Sequence, residues 1–208
     1  MRTRAEIKQY AKQNFSKAWG SNVGAYILFM LLTITISSVT FGIGAIILAP
    51  PLMVGYAFFC SKTYAGGSPQ VGDMFSNAFT NFGRKLGGML WMQLFVFLWT
   101  LLFIIPGIIK SIAYSMTPYI LANENVSACD ALKISMRMTS GYKGQIFLMW
   151  LSFIGWQFLN ALTLGILMIL YSGPYMEITF AGMYYDLRQT ALDKGKVTLN
   201  QLNGTERA

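Results

Sequence analysis

The sequence predicts an all-helical integral membrane protein: six transmembrane helices in three hairpins, each preceded by an amphipathic helix on the cytoplasmic side. Three observations predict it. The 208 residues are 54% hydrophobic and 12% charged, a charged share about half of the roughly 25% expected of a soluble domain. Apolar residues fall in runs of about 20, enough to cross a hydrocarbon core of about 30 Å. The 16 basic residues, which give a formal net charge of +8, gather in the connectors between alternate runs.

Thr3 and Glu6 spell T-x-x-E, a capping box that opens a helix over about residues 4–19. Ile7, Tyr10, Ala11, Asn14, Phe15 and Ala18 recur at helical spacing, with Lys8, Lys12 and Lys17 elsewhere on the wheel. This is either a basic helix on the membrane surface or a helix packed on the rest of the protein, and both place it in the cytoplasm. The basic stretch is too long for the charged region of a cleaved signal, so the first apolar run is expected to stay in the mature protein.

The first span covers about residues 23–41 and the second about 43–63, joined by a turn at Gly42, with Pro50 and Pro51 expected to kink the second. After Gly66-Gly67-Ser68-Pro69, a second amphipathic helix over 71–82 carries Val71, Met74, Phe75, Ala78, Phe79 and Phe82 on one face, and Gly83 ends it. The third span is about 87–105, Pro106-Gly107 makes the outer turn, and the fourth is about 108–122. The fourth is short, which leaves open a re-entrant segment or one long kinked helix. Ser127 and Asp130 cap a third amphipathic helix over 128–140, closed by Gly141. The fifth span is about 145–164 and the sixth about 166–185. Residues 1–187 thus make one membrane domain, and 188–208 a polar cytoplasmic tail expected to be partly disordered.

Glycines suggest an internal repeat. Gly20 and Gly44, Gly83 and Gly107, and Gly141 and Gly165 each stand 24 residues apart, with Pro51, Pro118 and Pro174 following at unequal offsets. All basic residues except Lys110 lie at the termini or in the connectors after even-numbered spans. The positive-inside rule then puts both termini in the cytoplasm.

Several function classes lose support. Lys and Arg interleaved with apolar runs match anionic lipid headgroups better than nucleic acid. Two cysteines and no histidine give no metal-ligand spacing. H-E-x-x-H, G-x-S-x-G and convergent carboxylates are all missing, so no catalytic residue or cofactor is expected and the chain is not read as an enzyme. The expected partners are the bilayer and its headgroups, with self-association or a membrane-protein partner left open.

The stretches IIPGIIKSIAYSMTPYILA, SACDALKISMRMTSGYK, LSFIGW, LTLGI and PYMEITFAGMYYDL are similar to a family of uncharacterised integral membrane proteins of mainly Gram-positive bacteria, classified as a domain of unknown function. The resemblance covers nearly the whole chain, best over Ile104 to Asp186. It implies six spans and no established function. A more distant likeness is to the membrane domain of glycerophosphoryl diester phosphodiesterases. Their catalytic barrel has no counterpart here, so no activity carries over.

Two charges fall inside the predicted spans, Lys110 and Glu177. An ionisable group near the bilayer centre costs about 2.5 to 3.5 kcal/mol on insertion scales, which makes it a functional-site hypothesis. Lys110 lies near the outer turn, where a long stem reaches the interface. Glu177 lies about 18 Å from the outer turn at helical rise. Gly173 and Ala181 flank it on the same face, and Ser115, Tyr114 or Tyr175 are possible hydrogen-bond partners. Ser111, Tyr114, Ser115 and Pro118 share a face of the fourth span, and Tyr171, Pro174, Tyr175 and Ile178 one of the sixth. Proline-broken helices along a polar seam are either ordinary bundle packing or a transport site. The functions carried forward are passage of a small solute, ion or lipid, and a non-catalytic membrane partner or envelope-stress or peptide-resistance protein.

Overall fold

The computed structural model describes residues 2–207, and among them only helices and connectors occur, without a strand. Five helical segments are long and apolar enough to cross a membrane. They are α2 (Trp19–Val39), α3 (Ile43–Tyr64), α5 (Phe82–Leu102), the pair α6 (Ile104–Tyr114) and α7 (Thr117–Asn123), and the pair α9 (Lys143–Leu151) and α10 (Ile154–Leu162). The others are α1 (Arg4–Lys17), α4 (Val71–Phe79), α8 (Ala128–Thr139), α11 (Gly173–Asp193), preceded by a π-helical turn at Met168–Ser172, and the short α12 (Leu199–Leu202).

Within the hairpins the two limbs differ. The most apolar windows of the outgoing limbs α2, α5 and α9–α10 are 22%, 17% and 22% buried, against 50% for the returning limbs α3 and α6–α7. The returning limbs therefore form the centre, with α3 packed on both α7 and α11. Small residues permit the closest approaches. A Cβ on Gly173 would lie 2.5 Å from the Tyr26 ring, and one on Gly182 would strike the Tyr64 ring.

The basic connectors converge on one end of the bundle. Arg188 Nε reaches Glu124 Oε1 at 2.5 Å, and the Tyr184 hydroxyl donates to the same oxygen at 2.6 Å. Burial works against the Arg188 charge, but its bond to Glu124 outweighs this and holds the guanidinium above its ordinary value. Arg2 pairs with Asp186 at 2.7 Å. Arg84 donates to the carbonyls of Leu121, Glu124 and Val126 and so caps the end of α7. Both termini lie at this end. The opposite end exposes large apolar side chains, with Phe41, Leu101, Phe103, Ile105, Leu162 and Leu164 all more than two-thirds accessible.

The helices expected on a membrane surface are packed into the bundle. The capping box forms as expected, Thr3 N–H donating to Glu6 Oε2 at 2.7 Å. α1 then buries Ile7, Ala11, Asn14 and Phe15, running antiparallel to the last helix from Arg2 on Asp186 to Phe15 on Tyr171. Of the two alternatives for this helix, packing on the protein is the one seen. α4 lies on α3, where Gly55 leaves room for the Met74 carbonyl and Ala78. α8 buries Ala131, Leu132, Ile134, Ser135, Met138 and Thr139 against α5, α6 and α7.

Several boundaries differ from the sequence expectation. α4 ends at Phe79, and left-handed Asn81 (φ 53°) makes the turn assigned to Gly83, which lies inside α5. Extended Phe103 alone joins α5 to α6, while Pro106 and Gly107 sit in the first turns of α6. Proline fits there because those N–H groups have no intrahelical partner, and Gly107 brings the helix onto Thr100. The helix α3 continues through Pro50 and Pro51.

The regular glycine spacing joins unlike places: Gly44 and Gly107 are helical, whereas Gly165 is a left-handed turn residue (φ 82°). Gly165 shares its local turn geometry with Gly42. Both turns have a left-handed residue before a left-handed glycine, Phe41-Gly42 and Leu164-Gly165, and both glycine N–H groups donate at 2.8 Å to a carbonyl five residues back. Structure continues into the polar tail. α11 continues to Asp193, Val197 and Leu202 are buried, and Asn125 N–H donates to the Leu202 carbonyl.

Candidate functional site

Three helices are interrupted along their length, and a polar group from another element meets each break. Backbone groups freed inside a membrane need such partners, because lipid has none to offer. Pro118 has no N–H with which to continue the ladder from α6 into α7. At that break the Ala113 carbonyl accepts from Ser135 Oγ at 2.8 Å and Thr139 Oγ1 at 3.2 Å, both on α8. Between α9 and α10, Lys8 Nζ approaches the Ser152 carbonyl at 3.4 Å and lies 4.1 Å from the Phe153 ring centroid. Burial, reinforced by Arg4, pushes the Lys8 amine below its ordinary value. Before α11, Pro174 cannot give the Leu170 carbonyl its α-helical bond, and Trp19 Nε1 donates there at 3.1 Å.

Among these broken helices lies a cavity of about 640 Å³. It is walled by α2 and α3 of the first hairpin, α5 to α7 of the second, and Trp150 and α11 of the third. Glu177 is set in the wall, partly buried. The Tyr119 hydroxyl donates to its Oε2 at 3.1 Å and lies 3.3 Å from its backbone carbonyl. Ser111 and Ser115 also line the cavity. Their hydroxyl protons go to the carbonyls of Ile108 and Ile112, each at 2.8 Å, which leaves oxygen lone pairs as acceptors.

Of the six site residues expected from the sequence, the structure thus brings together Glu177, Ser111 and Ser115. The other three are elsewhere. Tyr114 is buried outside the cavity wall. Lys110 places its amine 5.0 Å from the Trp99 ring centroid and 5.9 Å from that of Tyr114, away from Glu177. Tyr175 donates to the Lys8 carbonyl at 3.3 Å and joins Phe15, Phe153, Trp156 and Tyr171 in an aromatic cluster. Tyr119, the actual partner of Glu177, escapes sequence reasoning because a tyrosine in an apolar run signals packing. Its one cue is Pro118 beside it. Among the described residues no group of three or more His, Cys, Asp or Glu side chains could hold a metal ion. Cys60 and Cys129 are free thiols, the first buried and the second exposed.

The family model described as "Protein of unknown function (DUF975)" matches residues 88–191, half of the chain. The chain belongs to this family. The match takes in most of α5 and everything through most of α11, and so includes Ser111, Ser115, Tyr119 and Glu177 but neither α2 nor α3. No curated protein and no solved structure matches the chain.

Proposed function

We propose that this is a six-span protein of the bacterial cytoplasmic membrane, with both termini cytoplasmic, that passes a small amphipathic molecule across the bilayer. It is not an enzyme. The carrying observation is the cavity, which takes walls from all three hairpins and has one carboxylate, Glu177, and one amide, Gln93, in an otherwise apolar and hydroxyl-bearing surface. Of the cargo classes open to such a chain, namely solute, ion and lipid, apolar walls favour a molecule with a substantial hydrophobic body.

The sixth span is about residues 166–185, the π-helical turn and the first part of α11. Its π-helical turn and Pro174 interrupt a segment that is otherwise about as long as the others. An even number of spans agrees with basic connectors and both termini at one end, opposite an end covered by apolar side chains. Anionic headgroups are the natural partners of that basic end.

Purified protein in liposomes tests the proposal. Labelled amphiphiles should cross faster than in protein-free vesicles, and Glu177→Gln should remove most of the gain. Flux equal to the protein-free rate for neutral, anionic and cationic probes would sink it. Co-purification of a stoichiometric partner in mild detergent would then favour a non-catalytic partner or envelope-stress role.

A further inference from the structure

We propose that the cavity is a binding site for a lipophilic monocation, a hydrophobic body bearing a single amine or onium charge that Glu177 pairs. This rests on reading the cavity as the ligand site. Seven of its seventeen lining residues are aromatic. Phe29 stacks on Tyr56 with centroids 5.0 Å apart, Tyr26 leans on Tyr56 at 5.8 Å, and Trp150 meets Phe180 edge-on at 5.6 Å. Aromatic faces carry negative potential and attract cations most strongly where water is excluded. Met53, Met92 and Met176 add side chains that adapt to an irregular apolar body.

Charge completes the case. Among the described residues no Lys or Arg lines the cavity, and Lys110 is engaged with Trp99 and Tyr114 outside it. Among the described residues Tyr119 is the only hydrogen-bond donor to the Glu177 carboxyl, through Oε2, and none donates to Oε1. A carboxylate held in apolar surroundings with one donor is poorly compensated, and a bound cation supplies what is missing.

Competing ligands fit worse. A hard inorganic cation such as Ca²⁺ takes six or more oxygen ligands with several carboxylates among them, and the cavity offers one carboxylate beside the Gln93 amide and neutral hydroxyls. A phosphate-bearing headgroup would set like charges against each other.

The test uses the full-length chain in detergent with two probes of equal shape and opposite charge, tetraphenylphosphonium and tetraphenylborate, measured by equilibrium dialysis. The phosphonium should bind saturably and the borate at least about tenfold more weakly, the scale expected when a buried charge lacks its partner. Glu177→Gln should weaken the phosphonium about tenfold or more and spare the borate, while Glu177→Asp should keep the preference for the cation. Equal binding of both probes to the wild type would overturn the monocation assignment yet leave the cavity a ligand site. Binding of neither probe also overturns it, and flux of neutral amphiphiles then judges passage separately. The wild-type comparison stands even if Glu177→Gln does not fold.

Discussion

Arg84 holds the basic end of the middle hairpin by giving one guanidinium to three carbonyls at and just beyond the end of α7. Gln at this position cannot span them, and carbonyls left without donors in a part-buried site cost free energy. Arg84→Gln is expected to lower stability by about 2–4 kcal/mol, read as a lower midpoint of thermal unfolding in detergent. Gly173 makes a different demand, since a Cβ there meets both the Tyr26 ring and the Met168 carbonyl at about 2.6 Å. Gly173→Ala should destabilise by about 1–3 kcal/mol through overpacking. An unchanged midpoint would mean that the π-helical turn absorbs the methyl. Legibility at this scale follows chemistry. Glu177, Ser111 and Ser115 could be picked from the sequence because a charge or hydroxyl in an apolar run calls for a reason. Tyr119, Tyr26 and Tyr56 could not, because only the fold shows which tyrosines face a cavity.

Helix breaks explain why the connecting helices α1 and α8 are embedded instead of lying on a lipid surface. Ser135 and Thr139 are both fully buried, and their joint task is the Ala113 carbonyl. Ser135→Ala combined with Thr139→Val should cost about 1–3 kcal/mol, whereas either change alone should cost less because the other hydroxyl remains. Equal losses in single and double variants would show that the two do not share the task. For α1, the amine of Lys8 has a depressed folded value because burial and Arg4 disfavour its charge. The unfolded chain therefore binds more protons between that depressed value and the ordinary lysine value. Stability should rise as pH climbs through this window. Comparing thermal midpoints with Lys8→Met isolates the effect, and the rise should be smaller in the variant. The existence of these helices was legible from their caps and apolar stripes. Their destination was not, because a stripe facing lipid and a stripe facing protein have the same period, and carbonyls in need of hydroxyls appear only after folding.

At the scale of the molecule, polar contacts gather at one end and large apolar side chains are exposed at the opposite tips, so sidedness is the property on which transport would depend. Most basic residues lie on α1, on α8, in the tail or in the terminal turns of the long helices, and the contacts Arg188 to Glu124, Arg2 to Asp186 and Lys194 to the Tyr142 hydroxyl gather several of them at one end. The charge asymmetry itself is legible in the sequence, since it needs no knowledge of packing. The turn residues Phe41, Phe103 and Leu164 mark the other end. The chain also carries its own reporter in Cys129, an exposed thiol at the start of α8, while Cys60 is buried. With the basic end facing the cytoplasm, a membrane-impermeant maleimide on intact cells should leave Cys129 unlabelled until the membrane is opened. A cysteine at Phe103 should react from outside at once, and cysteines at Phe41 and Leu164 should follow Phe103 if all three hairpins cross fully. Rapid labelling of Cys129 in intact cells would invert the orientation. Reaction at Phe103 without reaction at Leu164 would mean that the π-turn helix and α9–α10 re-enter from the cytoplasmic side without crossing. That outcome would open the cavity to one side only, and binding would then outlive any role in passage.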